Sequence, residues 1–269
     1  MTKSLIILIV FTFTQYSFAQ NANYKQGDTL KIFALSGLKL RNEGNINSKV
    51  LSFMKFGEKV IILDTSRFNQ KNVQIIEGFS GRWIKIKYDT IEGYAFDGYL
   101  SSLPIPKINL KKINDRIKTQ DSQLNDYNES RKIEWALMDY INTEFYPIGK
   151  PIKDDNGIDG EQHSVSISQK ISHGLTKING TGWENYGFSL EMPNIRLSEI
   201  KNLILVIATK SGLINSSLEK IKDNVQKIKD NIKGAQPIFN IPDFNFDLNR
   251  QQNKNGTKIW YLGFDRVES

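Results

Sequence analysis

The sequence predicts a small all-β barrel, then a helical connector, then an α+β domain with an antiparallel sheet. Three observations carry this. Between Thr29 and Leu103 short β-type runs alternate with Gly, Asn and Asp, the spacing of a small barrel. At Pro104-Ile105-Pro106 the pattern stops, because proline fixes its own φ and restricts the residue before it. Beyond that point apolar residues recur first at helical spacing and later in strand-like alternation.

The composition sets the outer limits. The 269 residues are 39% hydrophobic and 24% charged, which is ordinary for a globular protein. There is no cysteine, so disulfides, thiolate metal sites and cysteine nucleophiles are excluded. The net charge of +7 is spread thinly: residues 20–103 carry 12 basic and 8 acidic side chains, and residues 104–269 carry 23 and 21. Nucleic-acid binding concentrates cations on one face, so no nucleic-acid partner is expected, and weak attraction to an anionic envelope polymer is the more natural use of this charge. No motif calls for a cofactor.

The first twenty residues read as a signal peptide. Lys3 precedes the apolar run Leu5–Phe13, and Ser17 and Ala19 fit the small positions of a cleavage site after Ala19. An uncleaved membrane anchor is the competing reading, but the run is far shorter than the ~20 residues that span hydrocarbon. The expected location is therefore exported, periplasmic or secreted. The most apolar later stretch, Leu203–Ala208, has only six residues, so no transmembrane segment is expected after cleavage.

Within the barrel the expected strands are Leu30–Ala34, Leu38–Arg41, Val50–Met54, Glu58–Asp64, Val73–Glu77, Arg82–Tyr88 and Ile91–Phe96. Alternation is clearest from Trp83 to Tyr88, where Ile84, Ile86 and Tyr88 share one face and Trp83, Lys85 and Lys87 the other. Asp89-Thr90 then makes a tight hairpin.

These residues resemble the bacterial SH3 (SH3b) domain. Gly37-Leu38-Lys39-Leu40-Arg41 is similar to the family's opening strand, and Lys55-Phe56-Gly57-Glu58-Lys59-Val60 to its next segment. Trp83–Tyr88, Glu92-Gly93-Tyr94-Ala95 and Tyr99-Leu100 are similar to its closing strands. The resemblance covers about residues 28–103 and implies an SH3-like barrel. Thr65–Gly81 is longer than the usual link and is expected to add a hairpin from Val73–Glu77 that reshapes one rim. By resemblance such modules are exported or envelope proteins, and some bind peptidoglycan through a shallow groove. A filled barrel of this size has no internal cavity, so contact must lie on its outside. Trp83, Tyr94 and Tyr99 are the candidate aromatics, with Arg41 and Asp97 as polar neighbours. In the competing structural reading Trp83 and Tyr99 close the core and Arg41 fixes a loop.

The connector, residues 104–129, carries Leu110, Ile113, Ile117, Leu124 and Tyr127 in a heptad-like stripe. Two or three heptads are marginal for a coiled coil, so packing on the chain itself is favoured over a weak homodimer through residues 108–127. A second helix is expected over Arg131–Phe145.

In residues 130–269 the acidic stretch Lys153–Glu161 is expected to be a loop. It fails the EF-hand template, because Gly157 and Ser166 fall where ligands belong. Strands are expected at His163–Ile171, Trp183–Glu191, Leu203–Thr209, Ile238–Leu248 and Thr257–Val267, the last two joined at Asn255-Gly256. The two histidines, His163 and His173, share strand parity but lack the converging partners of a metal site. Ser216-Ser217-Leu218-Glu219 reads as a capping box opening a helix over 217–233.

Two functions are consistent with these residues. The leading one is an exported, non-enzymatic envelope protein whose barrel binds a cell-wall polymer or an envelope protein. The alternative is an envelope hydrolase built on carboxylates such as Asp154, Asp155, Asp159 and Glu161, which would have to pair in a cleft.

Overall fold

A computed structural model describes residues 24–65, 72–120, 128–159, 162–181, 185–193, 195–228, 237–241, 246–252 and 258–267. The signal-peptide reading of residues 1–19 and the Asn255-Gly256 turn lie outside them.

The N-terminal strands are β1 (Thr29–Ile32), β2 (Leu38–Arg41), β3 (Val50–Met54), β4 (Lys59–Asp64), β5 (Gln74–Ile76), β6 (Phe79–Gly81), β7 (Trp83–Tyr88), β8 (Ile91–Phe96) and β9 (Leu100–Ser101). Seven of them form one antiparallel sheet in the order β3-β2-β8-β7-β4-β1-β9. The expected alternation fixes which face is inside: Leu30, Ile32, Leu40, Ile62, Ile84 and Ile86 are each at most 2% exposed and pack on one another. The long link supplies the extra hairpin, β5 with β6, turning at Glu77 and Gly78, whose φ values are both positive.

The remainder runs α1 (Leu110–Gln120), α2 (Asn128–Glu144), β10 (Ile152–Asp159), β11 (Gln162–Ile171), β12 (Leu175–Thr181), β13 (Asn185–Pro193), α3 (Leu197–Lys210), α4 (Asn215–Lys227), β14 (Pro237–Ile241), β15 (Phe246–Gln252) and β16 (Lys258–Val267). Its seven strands form a second antiparallel sheet, ordered β10-β11-β12-β13-β16-β15-β14. Leu190, Trp260 and Leu262 of this sheet pack against Leu137 and Tyr140 of α2 and Ile200 and Leu203 of α3. Ile113 and Ile117 of the connector stripe are buried in the same core, so that part of the stripe serves internal packing, while Leu124 and Tyr127 lie outside the described residues. Phe33 and Leu103 from the N-terminal part join this core too.

Several expectations are corrected. The run expected as strand Leu203–Thr209 belongs to helix α3, nearly all of whose side chains are buried. A helix enclosed on all sides has no polar stripe to betray its period. Lys153–Asp159 is not a loop but most of strand β10, an edge strand with a register irregularity between Asp155 and Ile158 that absorbs the Asn-Gly pair. The helix expected from 217 begins at Asn215 and is described to Lys227; its N-cap is Ile214, which leaves Ser216 inside the first turn, and the Ile214 amide donates to Glu129 Oε2 of α2 at 2.9 Å. His173 does not share a strand with His163: β11 ends at Ile171, and His173 sits in a tight turn at φ 66°. The segment expected as one strand, Ile238–Leu248, is divided between β14 and β15, and β12 was not expected at all.

His173 lies edge-on to Phe145, ring centroids 5.5 Å apart. Burial, reinforced by the nearby Lys31 charge, holds its imidazole below the usual histidine range. The unfolded chain therefore takes up this proton more readily than the native one. Its contribution to stability is present above the ordinary histidine pKa and is lost as pH falls through the native value. Urea midpoints at pH 7 and pH 5 should fall less on acidification for His173→Asn, a residue that tolerates positive φ, than for the parent chain.

Candidate functional site

The outer face of the N-terminal sheet is set by register. Cross-strand pairs place Trp83 opposite Phe96, Lys85 opposite Tyr94, and Lys87 opposite Glu92. On the other flank Tyr94 pairs with Arg41 of β2, so the structure brings these two candidates side by side. Arg41 Nη1 donates to the Ser48 carbonyl at 2.6 Å and so braces the 42–49 loop while remaining half-buried. Lys39 and Phe53 continue this face as a β2–β3 pair, both exposed. Lys85 bridges Glu92 at 2.9 Å in the open, a contact whose main effect is to order two long side chains.

Trp83 and Tyr99 belong to a second group. Trp83 points outward, as its parity requires, yet it is buried against Phe96 with ring centroids 5.8 Å apart. Its indole donates to Gln74 Oε1 at 3.1 Å, which ties it to the extra hairpin. Tyr99 lies 4.9 Å from Phe79 and 5.9 Å from Phe96. Its hydroxyl donates to Glu77 Oε2 at 2.9 Å, and burial together with that carboxylate pushes its pKa above the usual tyrosine value. Leu205 of α3 packs on this aromatic cluster.

Asp97, the fifth candidate, is fully buried. Its carboxylate accepts from the Tyr24 hydroxyl, from the Arg82 amide at 2.5 Å, and pairs with Arg196 Nη1 at 3.0 Å. Arg196 also reaches the Leu100 carbonyl at 2.7 Å and Glu199 Oε2 at 3.0 Å. Glu199 Oε1 in turn accepts from Ser101 Oγ at 3.0 Å and the Ser102 amide at 2.9 Å. Burial alone would raise the Glu199 pKa, but the Arg196 guanidinium and these donors outweigh it and hold the carboxyl below its ordinary range. Asn202 Nδ2 donates to the Gly98 carbonyl at 2.7 Å, and Lys201 Nζ to that of Gly78 at 2.7 Å.

The five sequence candidates thus divide among an outer face (Arg41 and Tyr94, both half-buried, Tyr94 also packing on the aromatic cluster), that aromatic cluster under the hairpin (Trp83, Tyr99) and a buried charge network (Asp97). Sequence reasoning missed Arg196, Glu199, Lys201 and Asn202. The available signal was the presence of charged residues inside an otherwise apolar segment, since such groups are buried only when paired.

Other candidate chemistry is dispersed. Asp154 is exposed on β10, and the side chains of Asp155, Asp159, Glu161 and His163 lie outside the described set. Among the described residues no three His, Cys, Asp or Glu side chains group so as to hold a metal ion.

The N-terminal sheet thus combines a filled core with an outer face that carries aromatic and cationic side chains. Its class agrees with its sequence profile: residues 36–101 match the bacterial SH3 domain family, and this part of the chain is a bacterial SH3 domain. No curated protein matches the chain. Among solved structures, NlpC2 from Trichomonas vaginalis aligns at 14% identity and a TM-score of 0.19. That alignment covers 55% of this chain and 62%, less than two thirds, of the other. A score that low does not establish a shared fold.

Proposed function

We propose that this is an exported, non-enzymatic envelope protein whose bacterial SH3 domain binds cell-wall polymer. The observation that carries the reading is the family match over residues 36–101, joined to an outer face where Arg41 and Tyr94 are neighbours. In this reading residues 1–19 are removed on export. A barrel at 28–103 and an α+β domain at 130–269 then form two units joined by the connector at 104–129. Bacterial SH3 domains are typically extracellular or envelope modules, and among the described residues no helix is long and apolar enough to cross a membrane. Arg41, Lys39 and Lys85 offer cations to an anionic or carboxylate-bearing polymer, and Tyr94 and Phe53 offer apolar surface beside them. Trp83, Tyr99 and Asp97 hold that face in shape.

The test is co-pelleting of residues 20–269 with insoluble peptidoglycan, with soluble fragments measured in the same samples. The full chain should pellet and release nothing. Arg41→Ala and Tyr94→Ala should each weaken pelleting by about tenfold, the loss expected of a central contact residue. Release of fragments would instead mark a hydrolase, and pelleting unaffected by both substitutions would remove this face from the account.

A further inference from the structure

On the outer face of the N-terminal sheet two cations of β2 stand between two rings. Lys39 and Arg41 alternate with the buried Leu38 and Leu40, so both belong to this face. Phe53 of β3 pairs with Lys39 on one side, and Tyr94 of β8 pairs with Arg41 on the other. Two strand spacings across and two residues along put the backbones of Phe53 and Tyr94 about 12 Å apart. Phe53 is 53% exposed, yet it is held. A Cβ at Gly37 would lie 2.3 Å from its Cζ and 2.6 Å from its Cε1, so the ring rests on bare glycine backbone, in a turn whose φ of 84° suits glycine. A side chain braced in this way loses little rotamer freedom when a ligand covers it.

Resting on the wall-polymer reading, we propose that this face takes the glycan strand of the wall rather than its peptides: Phe53 and Tyr94 stack on sugar rings, and Lys39 and Arg41 between them hold a carboxylate borne on a sugar. The C–H groups on one face of a pyranose carry slight positive charge and pack on the electron-rich face of an aromatic ring. Rings set apart by the length of a disaccharide, with cations between, suit a glycan that bears an acid on alternate sugars. An extended peptide instead docks on a sheet edge through main-chain hydrogen bonds. Phe53, Lys39, Arg41 and Tyr94 stand on the face of the sheet, where such a peptide would not meet them.

The experiment titrates residues 20–269 with the disaccharide N-acetylglucosaminyl-N-acetylmuramic acid, following backbone amide shifts, with peptidoglycan pelleting run beside it. Shifts should cluster on β2, β3 and β8. Phe53→Leu should weaken the disaccharide by about tenfold while Phe53→Tyr keeps it, since only a ring can stack. Lys39→Gln should weaken the acidic disaccharide and leave the neutral N-acetylglucosamine disaccharide unchanged. Equal losses in Phe53→Leu and Phe53→Tyr, or shifts caused by a free stem peptide and not by the disaccharide, would overturn the glycan assignment. If pelleting persists in that case, the wall-polymer reading stands without it. Disaccharide binding with this pattern in a chain that does not pellet would keep the sugar site and sink the wall-polymer reading.

Discussion

Replacing Arg196 by methionine is expected to lower the stability of the chain by about 3–5 kcal/mol, the cost of removing one partner from a buried ion pair. The side chain is 4% exposed and faces two carboxylates, Asp97 and Glu199, both buried. Methionine fills much of the space but leaves those two acids facing each other without a cation. The loss has a pH signature. Glu199 is held below the ordinary carboxylate range in the native chain, so its contribution is complete above the unfolded value of about 4.3 and disappears as pH falls through the native one. In the variant the guanidinium no longer offsets burial, so the Glu199 pKa rises and acid should cease to penalise the native state through this group. Urea unfolding at pH 7 and pH 4 measures both effects. A loss below about 1 kcal/mol at pH 7 would mean that water reaches the network and that the pair is not desolvated.

Gly93→Val is expected to cost about 1–3 kcal/mol, the range for forcing extra atoms into a packed interior, and to abolish pelleting with peptidoglycan. A Cβ at Gly93 would lie 2.6 Å from the Arg41 carbonyl and 3.0 Å from Leu40 Cγ. The backbone oxygen cannot yield as a flexible side chain would, so β8 must move away from β2. That movement separates Arg41 from Tyr94, the neighbours on which the proposed wall-binding face depends. Stability by urea titration and pelleting below the variant's melting temperature should both fall, with Gly93→Ala showing the smaller loss. A folded Gly93→Val chain that pellets like the parent would show that the Arg41–Tyr94 pairing does not matter for binding.

The N-terminal strands were legible because their faces are unlike: Ile84 and Ile86 inward against Lys85 and Lys87 outward allows one register only. The adjacency of Arg41 and Tyr94 came from the strand order, not from any local signal. Contacts across long separations could not be read. Asp97 reads in the sequence as a polar neighbour of the candidate aromatics, because its cation, Arg196, is 99 positions further on. Leu203–Ala208 offered no polar position within a helical turn, and its β-branched Ile204, Val206 and Ile207 favour a strand reading until the surrounding sheet and helices are known. The capping signal at Ser216 was locally sound, yet the helix begins one residue earlier, at Asn215, with Ile214 as its N-cap.

Phe33 and Leu103 tie the SH3 part to the C-terminal part of the chain. Both are at most 1% exposed, and both pack in the core that the helices and second sheet enclose, beside Phe56 at its margin. Severing the polypeptide after Leu103 would wet those rings and methyls and leave a sticky scar on an otherwise well-filled fragment. Anyone wishing to study the first hundred residues in isolation should paint that scar with polar substitutions, or retain the chain through α2, before attributing clumping to the Arg41–Tyr94 face.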